Sequence, residues 1–129
     1  MAKTDFLRTG IELLDRLLGG GISPGSLCVV IGEPLGGKEL IALEFFCEGL
    51  RLGEGGIYVT MVNFAEEVES AVANRGLDLS VYRDSNPKYR IIDLYRPTVD
   101  FSVEDRDAVV YVPAPTDLAA LSSKIVDAT

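Results

Sequence analysis

"LCVVIGEPLGGKEL", residues 27–40, runs from five apolar residues through a glycine-rich turn to a lysine and the start of a second apolar-rich segment. A continuous apolar run of that length is what a parallel strand buried on both faces requires. Behind it, Gly32, Gly37 and Lys38 have the spacing of a phosphate-binding loop, which continues with a hydroxyl after the lysine. The hydroxyl is missing. Position 39 is Glu39, an acid where a small neutral magnesium ligand is expected. The chemistry of such a loop is backbone chemistry: glycines let N–H groups converge on phosphate oxygens, the following helix adds its partial positive charge, and the lysine reaches the β- and γ-phosphates. The alternative is a strand-to-helix connection that is glycine-rich only for packing, and the octet alone does not separate the two.

Working outward, the pattern alternates. On the N-terminal side, "TGIE" at 9–12 has the form of a capping box, with Thr9 placed to cap a helix and Glu12 to reach back. Ile11, Leu14, Leu17 and Leu18 give that helix an apolar face, and "GGG" at 19–21 ends it. "ISPGS" is a turn. On the C-terminal side, 38–52 reads as a helix burying Leu40, Leu43, Phe46, Cys47 and Leu50. "GIYVTMV" at 56–62 is a strand, and "NFAEEVESAVANRG" at 63–76 is a capped helix closed by Gly76. "YRIIDL" at 89–94 and "AVVYV" at 108–112 are further strands. After the extended "PAP" at 113–115, Thr116 caps a last helix from Asp117 to Asp127. Strands alternating with helices predict an α/β fold with a largely parallel sheet and flanking helices.

Composition narrows the function. The 129 residues have the length of one domain, and 47% hydrophobic with 25% charged residues is ordinary for a soluble globular protein. A net charge of −8 opposes general affinity for nucleic acid, and Arg83, Lys88, Arg90 and Arg96 are scattered among acids rather than clustered. The absence of histidine excludes Ser-His-Asp and Cys-His catalysis. Cys28 and Cys47 sit in apolar runs and read as buried thiols of a cytoplasmic protein. The N-terminal residues lack a signal-peptide pattern, and no run has the length of a membrane span. Tyr58 and Phe64 could stack on a base, but strand and core positions explain them more simply.

Residues 9–60, "TGIELLDRLLGGGISPGSLCVVIGEPLGGKELIALEFFCEGLRLGEGGIYVT", resemble the N-terminal half of the KaiC-like group of the RecA superfamily of P-loop ATPases. Weaker similarity continues through "RGLDL" and "RIIDLY" to "PTDLAALSSKI", so residues 1–129 read as the N-terminal portion of a single RecA-like domain. The resemblance implies a loop of the form GxPGxGK that binds ATP or ADP. Gly32, Glu33, Pro34, Leu35, Gly36, Gly37 and Lys38 would wrap the phosphates, with Glu39 beside them. It also implies rings with nucleotide between subunits, so protein partners or self-association are expected, and neither nucleic acid nor membrane.

Three departures from the family pattern bear on chemistry. Glu39 replaces the magnesium ligand, and at about 4 Å with an effective dielectric near 20 a carboxylate opposes each phosphate charge by about 4 kcal/mol. Magnesium could be bridged by Glu39 itself only if the longer side chain folded back. The plainer reading is a helix N-terminal acid favoured by the dipole. The family's catalytic acidic pair falls at Val62 and Asn63, neither of which is a general base, and Glu66 and Glu67 come a turn later. The Walker B strand with its aspartate is expected after the helix that ends near Asp127, and "AVVYV" ends in Val112 and Pro113 instead. With no catalytic residue or metal ligand assigned, the expected function is a degenerate domain with at most weak nucleotide binding and a regulatory or interaction role. The alternatives are the N-terminal portion of an active ATPase, and an interaction subunit without ligand. In the family, strands from the second half of the domain flank the P-loop strand, so "LCVVI" is expected to need covering.

Overall fold

Apolar strands alternating with amphipathic helices give parallel crossovers, and three such strands are present in the computed structural model, which describes residues 5–84, 89–100, 102, 104–106, 108–112 and 118–128. In chain order the elements are α1 (Glu12–Leu17), α2 (Lys38–Arg51), β1 (Gly56–Thr60), α3 (Ala65–Ala73), α4 (Leu79–Asp84), β2 (Tyr89–Asp93), α5 (Arg96–Val99), β3 (Val109–Tyr111) and α6 (Leu118–Ala128). The chain divides into two compact units, Met1–Glu54 and Gly55–Thr129.

The second unit holds the sheet, in the order β1-β2-β3 with both pairs parallel. Tyr58 stands opposite Ile91, which stands opposite Val109. β2 has a neighbour on each edge, and Ile91 and Ile92, which alternation sends to opposite faces, are both fully buried. Ile92, Leu94 and Val112 form a closed cluster joined by Ile57, Val110 and Ile125 of α6. α3 packs against β2 and buries Ala65, Val68 and Val72. This is the parallel α/β architecture expected from the alternation.

β1 is shorter than the 56–62 expected, because the Thr60 hydroxyl turns the chain by accepting the Asn63 N–H at 3.1 Å and donating to the Asn63 carbonyl at 3.0 Å. α4 and α5 were not foreseen. Asp78 starts α4 by accepting the Ser80 N–H at 2.9 Å, and Pro97 lies in the first turn of α5, where proline's missing N–H costs nothing. The expected extended segment 113–115 and the Thr116 cap lie outside the described residues.

In the first unit α1 ends as predicted, but its start differs. Thr9 does not form a capping box with Glu12. Its hydroxyl accepts the Ile11 N–H at 3.2 Å and donates to Asp15 at 2.7 Å, while Glu12 pairs with Arg16 one turn on. The i,i+4 partner and the buried Asp15 carboxylate outcompete the reciprocal cap. Beyond α1, Leu7 and Ile22 exchange two backbone hydrogen bonds of 2.8 Å, and a Cβ at Gly21 would stand 2.3 Å from the Leu7 carbonyl oxygen, so only glycine fits there. α2 buries Leu43, Phe46, Cys47 and Leu50 as expected, whereas Leu40 is exposed in its first turn.

The largest correction concerns residues 27–31. They are neither strand nor helix, and Leu27 and Ile31 are each 91% exposed. An apolar run becomes a strand only when a neighbour takes its N–H and C=O groups, and none of the three described strands pairs with it. For the same reason Cys28 is exposed rather than buried, while Cys47, inside α2, is fully buried.

Candidate functional site

The glycine-rich loop closes on itself before α2 begins. The Gly36 N–H donates to the Glu33 carbonyl at 3.0 Å, and a Cβ at Gly36 would lie 2.9 Å from that oxygen, so the turn depends on glycine. Gly37 caps α2 with φ +90°, a left-handed conformation open to glycine at no steric cost. Leu35 has φ +62°, in the same region, and its side chain is fully exposed. The GxPGxGK pattern has glycine at this position. A leucine there carries about 1–2 kcal/mol of steric strain. The sequence carried this signal: Leu35, expected among the residues that wrap the phosphates, stands where the pattern has glycine.

Lys38 and Glu39 open α2, and the two are tied together. Lys38 Nζ donates to the Glu33 carbonyl at 3.1 Å and lies 3.4 Å from Glu39 Oε1. Its own backbone N–H is the leading reason the Glu39 carboxyl is held below the usual range; desolvation opposes it, and the Lys38 ammonium reinforces it. The N-terminus of α2 therefore has the parts of an anion seat, helix amides without an intrahelical acceptor and a lysine, and the protein's own Glu39 carboxylate is paired with that lysine. A phosphate group fits this loop only when Glu39 turns away. At the position where the pattern supplies a neutral hydroxyl for magnesium, the available donor is this same carboxylate, engaged with Lys38.

The residues following β1 belong to the second unit and are arranged for structure. Val62 is exposed, and the Asn63 N–H is held by Thr60. Glu67 accepts the Phe64 N–H at 2.7 Å at the start of α3. Glu66 pairs with Arg96 at 2.7 Å and Arg106 at 3.7 Å, and Arg106 pairs with Glu69 at 2.7 Å. Desolvation pushes the Glu66 carboxyl up, but the two guanidinium groups and its own N–H outweigh it, leaving the carboxyl below its ordinary value. A general base needs the opposite shift. Arg96 lies 4.0 Å from the centre of the Phe64 ring, whose centroid is 4.9 Å from that of Tyr95, so Phe64 stacks within the protein. Arg90 donates to the Tyr89 carbonyl at 2.9 Å, and the side chains of Arg83 and Lys88 lie outside the described residues.

Asp93 is the organising residue that sequence reasoning passed over. Fully buried at the end of β2, it accepts the Ala65 N–H of α3 at 2.8 Å and the Tyr95 and Arg96 N–H groups at 2.8 and 2.7 Å. One carboxylate thus holds the starts of two helices against the carboxyl end of the sheet. Its signal was an acid directly after the apolar pair Ile91 and Ile92.

Among the described residues no helix is long and apolar enough to cross a membrane. A family model described as "ATPase: KaiC" matches residues 7–128. The chain is 30% identical over 105 residues to a UPF0273 protein of Pyrococcus furiosus, covering 81% of this chain and 42% of that protein. A UPF0273 protein of Thermotoga maritima is 28% identical over 104 residues, again 81% of this chain and 43% of the relative. Over 52 residues the chain is 44% identical to a DNA repair protein RadA of Mycobacterium tuberculosis, 40% of this chain and 11% of that protein. The chain spans less than half the length of the UPF0273 proteins it matches.

Proposed function

The chain belongs to the KaiC family of ATPases, and from that premise we propose that residues 32–39 are a degenerate phosphate-binding loop with at most weak affinity for ATP or ADP and little or no hydrolysis, in a cytoplasmic domain that acts through protein contacts. One observation carries this reading: the Glu39 carboxylate is paired with the lysine that an incoming phosphate would need. A ligand must displace it and then face its charge. Val62 and Asn63 add to the case, since neither can activate a water, and phosphoryl transfer depends almost wholly on positioned charge and metal. Bound nucleotide would lie along Gly32 to Lys38, with Lys38 released from the Glu33 carbonyl to meet the terminal phosphates. That Cys28 and Cys47 form no disulfide accords with a reducing compartment.

Calorimetric titration with ATP and ADP, with and without magnesium, tests the binding. Weak or undetectable heats for the natural chain, strengthened in Glu39→Thr, are expected. ATP turnover by the natural chain that disappears in Lys38→Ala sinks the claim of little hydrolysis. A second reading, a working ATPase completed by further chain, is favoured by the greater length of the relatives and predicts such turnover in the completed protein. If saturating nucleotide leaves the melting temperature of both the natural chain and Glu39→Thr unmoved, the loop is not a nucleotide site, because a ligand of the folded state must stabilise it.

A further inference from the structure

Residues 32–39, "GEPLGGKE", carry two acids and one lysine. The imbalance extends beyond the loop: between Arg16 and Arg51, Lys38 is the one basic residue among four glutamates, Glu33, Glu39, Glu44 and Glu48. That lysine is already engaged, its Nζ donating to the Glu33 carbonyl at 3.1 Å and lying 3.4 Å from Glu39 Oε1. A loop with the form of a polyanion seat thus has net negative charge, and its single cation faces a carboxylate. The Glu39 side chain is 54% exposed, so it can leave the lysine without stranding a buried charge. Its oxygens are hard donors of the kind magnesium takes, and magnesium is ordinarily held by one or two carboxylates together with phosphate oxygens and water. Among the described residues no group of three or more acidic or cysteine side chains is placed to hold a metal ion by itself.

We propose that the Glu39–Lys38 pair makes this loop a coincidence site, which takes the diphosphate of a nucleotide only together with a divalent cation. The inference rests on residues 32–39 being a phosphate-binding loop and adds the condition under which phosphate enters it. Without the cation, Glu39 keeps the lysine and repels the phosphate charges. Without the phosphate, the loop offers a cation one carboxylate and solvent, too few ligands to hold it. With both present, the Glu39 carboxylate turns from the Lys38 ammonium to the dication, and the released ammonium meets the phosphate. The repulsion between carboxylate and phosphate then gives way to attraction of both for the ion between them. A neutral residue at position 39 would leave Lys38 open to phosphate with or without a cation, so the condition belongs to this glutamate and not to glycine-rich loops at large. Coupling of this kind is reciprocal: the factor by which the cation strengthens nucleotide binding is the factor by which nucleotide strengthens cation binding, and about tenfold or more is expected.

The test is calorimetric titration with ADP, once in EDTA and once in excess magnesium, of the natural chain and of Glu39→Gln, which keeps the length of the side chain and removes its charge. Circular dichroism checks that the two are folded alike. Magnesium raises the affinity of the natural chain for ADP about tenfold or more. Glu39→Gln binds ADP in EDTA about tenfold more tightly than the natural chain does, and magnesium then adds a smaller factor. Lys38→Met binds weakly in both conditions. Equal response of the natural chain and Glu39→Gln to magnesium overturns the proposal and leaves the loop reading standing. So does a natural chain that binds no ADP even with magnesium while Glu39→Gln binds it. If neither chain binds ADP in either condition, residues 32–39 are not a phosphate site and both readings fall.

Discussion

"LCVVI" at 27–31 and "YRIID" at 89–93 are both five-residue runs dominated by β-branched and other apolar side chains, yet one lies exposed and unpaired while the other is the central strand of the sheet. By composition the first is the better strand. The difference is company: β2 has β1 and β3 on its two edges, and residues 27–31 have neither edge taken among the described strands. Apolar content sets how much a strand gains when covered, and the neighbours decide whether it is covered at all. The loops that follow differ in the same sense. Asp93 fixes two amides just beyond β2 and a third at the start of α3, whereas the loop beyond residue 31 is held by the Gly36 N–H and by a lysine that spans it.

The sharpest way to break the contrast is to truncate both runs. Ile92→Ala, at a fully buried side chain, should cost about 4 kcal/mol, and Val29→Ala should change stability by less than about 0.5 kcal/mol. Urea unfolding followed by circular dichroism reads both; equal losses would mean that residues 27–31 are packed in solution. Asp93→Ala should come next at about 3 kcal/mol, because three amide N–H groups lose their acceptor. Amide exchange should show the first turns of α3 and α5 opening together.

Asp15 is the first unit's counterpart to Asp93, and it titrates. Desolvation raises its carboxyl, but the Thr9 N–H and hydroxyl, the Arg8 guanidinium and the Gly10 N–H together leave it below the ordinary value of 3.8. A depressed folded value means that the stabilisation is present above the unfolded value and is lost as pH falls through the folded one. Protection of the α1 amides should therefore fall below about pH 4, and Asp15→Asn should flatten that dependence. The smallest effect belongs to the loop. Leu35→Gly relieves the left-handed leucine but gains freedom in the unfolded chain, for a net stabilisation of about 0.5 kcal/mol. A loss of more than 1 kcal/mol by the same unfolding assay would mean that the leucine side chain is bound to something.

Much of this was legible in the sequence because it depends on residues near one another in the chain. Gly37 and Lys38 at the start of a helix, the glycines that end α1, the apolar face of α2 and the alternation that makes the sheet parallel all follow from local spacing. The identity of Glu39 was equally plain, but its engagement was not: the sequence shows an acid next to a lysine, and only the fold shows that acid paired with the lysine and that lysine bonded back to the Glu33 carbonyl.

What the tertiary structure alone decided are contacts between residues far apart. That Asp93 would leave the strand pattern to cap a helix 28 residues earlier and that Glu66 would be neutralised by Arg96 and Arg106 are outcomes of competition among partners that no local pattern ranks. The same holds for "LCVVI". The sequence by itself determined that these residues gain from being covered, since that depends on their own surface; whether they are covered depends on which groups stand beside them, and a strand's hydrogen bonds are always made with another segment.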